Sequence, residues 1–276
     1  MRYLVVTIPL PEQLLEVITA ELSYIGYDSF LEEEDALQAY IETASFDEEE
    51  LHNVLQRYED IAIQDCTTAL LEDKNWNEEW EKNFDSIVVE EKVMLRATFH
   101  PVAAQYPYDL VIDPRMSFGT GHHATTYMML AHQLDIDHQD KNVLDAGCGT
   151  AVLAIMAEKK GAATVTAFDI DEWAVNNALD NITLNDARQI GIQQGDIMSI
   201  DHSYAPYDII LANINRNILL KDMAQYHRCL AENGYLVLSG FYENDVPALI
   251  ESAQQYGFTL HKNEVRDKWA SLVLLK

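Results

Sequence analysis

From residue 142 to its final helix the chain repeats one pattern. A short apolar run, read as a strand, is followed by an amphipathic stretch, read as a helix. NVLDAG gives way to AVLAIMAEKKG, and TVTAFDI to DEWAVNNALDNITLN. IGIQQGDI and YDIILANI precede NILLKDMAQYHRCLAENG, and YLVLSGF precedes DVPALIESAQQYG. Such alternation predicts a parallel, doubly wound α/β sheet. The strands are apolar almost throughout, which suits a sheet covered on both faces. The closing FTLHKNEVRDKWASLVLLK reads as a β-hairpin.

The first third follows another rule. RYLVVTI reads as a strand. The helix EQLLEVITAELSYIG sets Leu14, Leu15, Ile18, Leu22 and Ile25 on one face and stops at Gly26. FLEEED and LQAYIET read as strands, EEELHNVLQRY as a helix capped by Asp47, and IAIQDCT as one more strand. Strand, helix, two strands, helix, strand is the ferredoxin-like order, so a small α+β domain is expected over residues 1–67. LLEDKNWNEEWEKNF reads as a linker helix within 68–86, with Trp76 and Trp80 on one face. VVEEKVMLRATF (88–99) reads as a strand opening a large domain over 87–276.

Charge narrows the choice of partner. The chain of 276 residues carries a net −28, and residues 1–92 hold 24 acidic and five basic residues, a net −19. A nucleic-acid backbone would be repelled. Runs such as EEED (32–35) and DEEE (47–50) suit either a solvated face or a docking surface for a basic partner. No apolar run approaches the ~20 residues of a membrane span, and the N-terminal run is too short for a signal peptide. The three cysteines lie far apart without a CxxC pair, so no disulfide framework or metal site is expected and a reducing cytoplasm is.

The chemistry gathers around VLDAGCGTAVLAIMA, a strand, a glycine turn and a helix. Gly147 and Gly149 lack a Cβ, so a ligand can lie against the backbone at the sheet's carboxyl edge. Asp169 ends the next strand, 20 residues after Gly149, where a carboxylate can accept both hydroxyls of a ribose. A dinucleotide fingerprint wants a third glycine where Val152 stands. Asp145 adds negative charge beside the loop, unwelcoming to a pyrophosphate and welcoming to an ammonium and a sulfonium. Charge therefore favours S-adenosylmethionine over NAD, the alternative being a glycine turn with no ligand. Asp196, after the third strand, either reaches an adenine amino group or caps a turn. Asn213, after DIILA, either holds an acceptor nitrogen through its carbonyl oxygen, as in amine-directed methyltransferases, or caps its turn. Upstream, DPRMSFGTGHHATT is a glycine-bracketed loop richer than any simple turn needs.

DPRMSFGTGHHATT, VLDAGCGTAVLAIMA, FDIDEWAVNNA and LANI stand in the order and spacing of the bacterial ribosomal protein L11 methyltransferases (PrmA type). The resemblance reaches NWNEEWEKNF upstream and LSGFYEND downstream, and covers about residues 75–276. It implies a Rossmann-like class I methyltransferase sheet and S-adenosyl-L-methionine as methyl donor. Thr126, Gly147, Asp169 and Asn213 would touch that donor, with Phe118 as an apolar lid and an orienting hydrogen bond from His122. Thr125 or Thr126 would start the next helix. The acceptors would be lysine ε-amines and the N-terminal α-amine of a basic large-subunit ribosomal protein, with the acidic first domain recognising it and the enzyme a monomer. Another protein or a small-molecule amine is the alternative substrate, and a cofactor-sensing module the non-enzymatic one. The family pattern is close to DPGMAFGTGTHPTT, and this chain departs from it at Arg115 and Ala124, and at Ala151, where a third glycine is usual.

Overall fold

The computed structural model describes residues 3–33, 35–58, 61, 65–70, 85–102, 104–113, 119 and 123–276. The chain divides into two compact units, residues 1–83 and 84–276.

In the first unit β1 (Tyr3–Pro9), α1 (Leu15–Tyr24), β2 (Ser29–Glu33), β3 (Ala36–Glu42), α2 (Glu48–Leu55) and β4 (Thr67–Leu70) follow in turn. The sheet order is β2-β3-β1-β4, antiparallel throughout, which is the ferredoxin-like arrangement. Val6 and Ile8 of β1 and Leu37, Ala39 and Ile41 of β3 point into one core with Ile18, Leu22, Leu51 and Leu55 of the two helices. Asp47 caps α2, its Oδ1 accepting from the amides of Glu49 (2.8 Å) and Glu50 (3.1 Å). The last strand lies further along than IAIQDCT. Thr67–Leu70 pairs with Leu4–Thr7 on the free edge of β1, so strand replaces the expected start of the linker helix. A backbone edge that needs hydrogen bonds and β-branched Thr67 and Thr68 explain the shift. The rest of that helix, with Trp76 and Trp80, lies outside the described residues.

The second unit opens with a three-stranded sheet, β5 (Ile87–Val89), β6 (Val93–Arg96) and β7 (Tyr108–Val111). The single strand expected over 88–99 is instead a hairpin. Glu90 (φ 48°) and Glu91 (φ 53°) both adopt the left-handed region, and the Lys92 amide donates to the Val89 carbonyl at 3.0 Å. Two positive φ values make the tight turn whose twist matches the strands; paired glutamates give no sequence signal for it.

Seven strands form the main sheet: β8 (Asn142–Ala146), β9 (Thr164–Asp169), β10 (Ile190–Gln194), β11 (Tyr207–Asn213), β12 (Leu230–Tyr242), β13 (Thr259–Arg266) and β14 (Trp269–Leu275). Their order is β10-β9-β8-β11-β12-β14-β13. The first five run parallel; β14 is antiparallel to β12 and to β13. Five helices accompany them: α3 (Ala124–Asp135), α4 (Val152–Lys159), α5 (Glu172–Leu184), α6 (Arg216–Cys229) and α7 (Val246–Gln255). Successive residues feed opposite cores. Val143, Ile209 and Leu211 join one cluster; Leu144, Ile210 and Ala212 join the other. This is the two-sided burial that the apolar runs predict. Helix α6 stops at Cys229 rather than reaching Gly234, because Leu230 already pairs with Tyr207 of β11. Among the described residues no helix is long and apolar enough to cross a membrane.

Candidate functional site

Strand β8 ends in a turn that reverses tightly. The amides of Gly147 and Cys148 both donate to the Phe168 carbonyl at 2.9 Å, which binds the turn to the end of β9. Gly147 has φ 69°, and a Cβ there would run into the Ile214 side chain, so only glycine keeps this backbone bare. Ala151 closes the turn at φ 61° and is wholly buried. A non-glycine residue in that region carries strain of about 1–2 kcal/mol, which is the physical meaning of the missing third glycine.

The Asp169 carboxylate bridges two elements. Its Oδ2 accepts from the Gly149 amide at 3.0 Å and its Oδ1 from the Asp171 amide at 3.1 Å. Asp171 in turn caps α5. Asp169 is thereby held rigid at the mouth of a cleft of about 550 Å³ that Gly147, Gly149, Asp196 and Asn213 also line. Asp196 fits both of its readings. Its Oδ1 accepts from the amides of Met198 and Ser199 at 3.0 Å, while the residue faces the cleft. Hydrogen bonding from Ser199 and from the Met198 amide holds its carboxyl below the usual range. Asn213 is the last residue of β11, and its Oδ1 is buried with no hydrogen-bond partner. An unsatisfied buried acceptor costs about 1–3 kcal/mol, so this oxygen awaits a donor.

Asp145 is not in the cleft. It is 1 % exposed, with Oδ2 accepting from the Ala154 amide at 3.0 Å and Oδ1 unpartnered. Burial pushes its carboxyl up to about 7, against the pull of the Ala154 hydrogen bond. The charge argument for a cationic ligand therefore rests on the carboxylates that line the cleft, Asp169, Asp196 and Asp222. Asp222 went unnoticed in the sequence. It stands four residues after Ile218 on α6, and both face the cleft. Its carboxyl is raised, first by burial. Ile218 and Asp222 at i, i+4 were the available signal, but nothing marked that face as the cleft side.

The opening loop is only partly described. Phe118, His122 and Arg115 lie outside the described residues. Gly119 accepts a hydrogen bond from the Thr150 hydroxyl at 3.0 Å, tying this loop to the glycine turn. Helix α3 begins at Ala124, not at Thr125 or Thr126. His123 caps it: Nδ1 lies 2.7 Å from the Thr125 hydroxyl and accepts from the Thr125 amide at 3.3 Å. His123 lines the cleft, and burial lowers its pKa, which favours the neutral imidazole. Thr126 lies inside α3, fully buried, with Oγ1 unpartnered, and does not line the cleft. Two side-chain amides, Asn181 on α5 and Asn185 at its C-cap, fix the approach to the loop. Asn181 accepts from the Asp113 amide at 2.8 Å and donates to the Thr150 carbonyl at 3.0 Å. Asn185 accepts from the Val111 amide at 3.0 Å and donates back to its carbonyl at 2.6 Å.

Comparison with known proteins gives the family. The family model described as ribosomal protein L11 methyltransferase (PrmA) matches residues 12–276. The protein of that name from Bacteroides thetaiotaomicron is 44 % identical over 269 residues, covering 96 % of this chain and 95 % of its own. That from Porphyromonas gingivalis is 43 % identical over 263 residues, covering 95 % and 90 %. The crystal structure of ribosomal protein L11 methylase from Lactobacillus delbrueckii subsp. bulgaricus has a TM-score of 0.62 at 25 % identity, covering 69 % of this chain and 97 % of that one.

Proposed function

Since this chain belongs to the ribosomal protein L11 methyltransferase family, we propose that it moves methyl groups from S-adenosyl-L-methionine to amines of L11, namely lysine ε-amines and the N-terminal α-amine. The cleft fits such a donor. Its backbone is bare at Gly147, its carboxylates suit positive charge, and Asp169 is pre-set at the mouth. Gly147, Gly149, Asp169 and Asp196 would hold the donor, which when bound supplies an electrophilic methyl on a sulfonium.

The chain's own task is to present a nitrogen lone pair in line. A lysine amine, pKa ~10.4, must first lose a proton. Asn213 Oδ1 can then accept one N–H and turn the lone pair toward the methyl. Alignment is the main contribution of such a site, and Asn213 is held at the end of a fully paired central strand. The acidic first unit would draw in the basic substrate, in the cytoplasm where ribosomes work.

The unpartnered Asn213 oxygen carries this reading. Asn213→Ala should cut turnover about 10- to 100-fold, the scale of one hydrogen bond made chiefly in the transition state. Donor affinity, measured by calorimetry with S-adenosylhomocysteine, should stay within about two-fold. An equal loss of affinity with unchanged turnover would make Asn213 only a donor contact.

A further inference from the structure

The cleft crosses six neighbouring strands, and its two ends differ in chemistry. Asp196 follows β10, Asp169 ends β9, Gly147 follows β8, Asn213 ends β11, Gly240 lies in β12 and Trp269 begins β14. Strands lie ~4.8 Å apart, so Trp269 stands about 10 Å beyond Asn213, on the side away from Asp169. Asp222 belongs with the acidic end, close enough to Asp196 for that charge to raise its pKa. Among the described residues, the far end has no carboxylate in its lining. It has His123, Trp269 and Gly240. Tyr242 stacks on Trp269 with ring centroids 4.1 Å apart and planes at 30°, and His123 meets Trp269 at 4.4 Å and 70°. Gly240 sits at φ 94° in a bulge between Ser239 and Phe241, where any Cβ would strike the Ile214 backbone. Tyr242 remains 52 % exposed.

We propose that the His123–Trp269–Tyr242 stack is the acceptor wall, and that it takes the four-methylene arm of a lysine lying along β12 and β14 with its nitrogen at Asn213. This rests on the proposed function, since it assigns the acidic end to the donor. The chemistry suits an alkylamine. Aromatic rings receive the apolar stem of lysine while its head reaches a polar partner. A wall without carboxylates gives the ammonium no ion pair, and desolvation there favours the neutral amine that can attack.

The test reads acceptor binding apart from methyl transfer. A lysine-containing peptide and n-butylamine are titrated by calorimetry into the full chain loaded with S-adenosylhomocysteine. The chain is wild type, Trp269→Leu, Trp269→Phe or Tyr242→Leu, each checked by thermal melting. Trp269→Leu should weaken peptide and butylamine binding at least ~10-fold, and Trp269→Phe should recover most of it. S-adenosylhomocysteine affinity should stay within about two-fold. If Trp269→Leu fails to fold, Tyr242→Leu at the exposed ring gives the same comparison with a smaller loss. Unchanged acceptor binding in the leucine variants, or a loss of S-adenosylhomocysteine affinity in step with it, overturns the acceptor wall. A wild-type chain that binds the peptide yet never methylates it would count against the proposed reaction and leave the wall standing.

Discussion

In the small sheet, β3 alternates half-buried and buried residues along its whole length; in the large sheet, β8 buries four of its five. The consequence reaches the polar groups. Among the described residues, fourteen polar or charged ones are buried in the second unit and none in the first. A sheet with one covered face can turn every charge outward. Residues 1–83 hold 21 acidic against four basic residues, while 84–276 hold 25 against 14. A sheet covered on both faces must take inside whatever polar group its carboxyl edge needs. Asp145, Asn181 and Thr150 are such groups, buried under the cleft they shape. One unit thus specialises in surface charge and the other in buried polarity.

That division can be broken at its coarsest point by removing residues 1–83. Methylation of L11 should fall at least ~100-fold, because the steering charge goes with them, while S-adenosylhomocysteine affinity should hold within about two-fold. Normal methylation by the truncated chain would end the recruitment reading.

A finer cut isolates the cost of buried polarity. The Asp145 carboxyl titrates at about 7 when folded, above its ordinary 3.8. Between those values the unfolded chain releases a proton that the folded chain keeps. The contribution of Asp145 to stability therefore falls as pH rises from about 4 to about 7 and levels off above, by an amount on the order of 4 kcal/mol. Asp145→Asn should flatten that part of the profile. Urea unfolding at pH 5 and pH 8 for both proteins measures it, and equal differences would show that Asp145 ionises normally.

The smallest effect is expected at Ala151. Its left-handed backbone is relieved by Ala151→Gly, but the freer unfolded chain and the lost buried methyl offset most of the gain. Net stabilisation should be at most ~1 kcal/mol, a melting shift of a few degrees. A loss larger than that would show that the buried methyl outweighs the strain.

Much of this molecule is legible in the sequence, and the limits are physical. The large sheet announces itself because continuous apolar runs have few other uses. Gly147, Gly149, Asp169, Asp196 and Asn213 reach one cleft because each ends or follows a strand at the same sheet edge. Local signals mislead where a distant partner decides. Thr67–Leu70 becomes a strand because β1 has an open edge, and α6 ends early because β11 claims Leu230. Asp145 looks like a cleft charge until the Ala154 amide is seen to hold it. Asp222 and Trp269 are invisible as site residues, since only the strand order β8-β11-β12-β14 and the seat of α6 bring them there.

Asn181 of α5 and Asn185 at its C-cap limit how portable the opening loop is. Asn185 and Asn181 hold Val111 and Asp113, 74 and 68 residues earlier in the chain, and Asn181 also holds the glycine turn at Thr150. The first residue of DPRMSFGTGHHATT, Asp113, is thus held by a helix that is nowhere near it in sequence. Transplanting that stretch into another Rossmann-like sheet would carry the letters and leave the fixings behind. A graft meant to work would have to bring α5 as well.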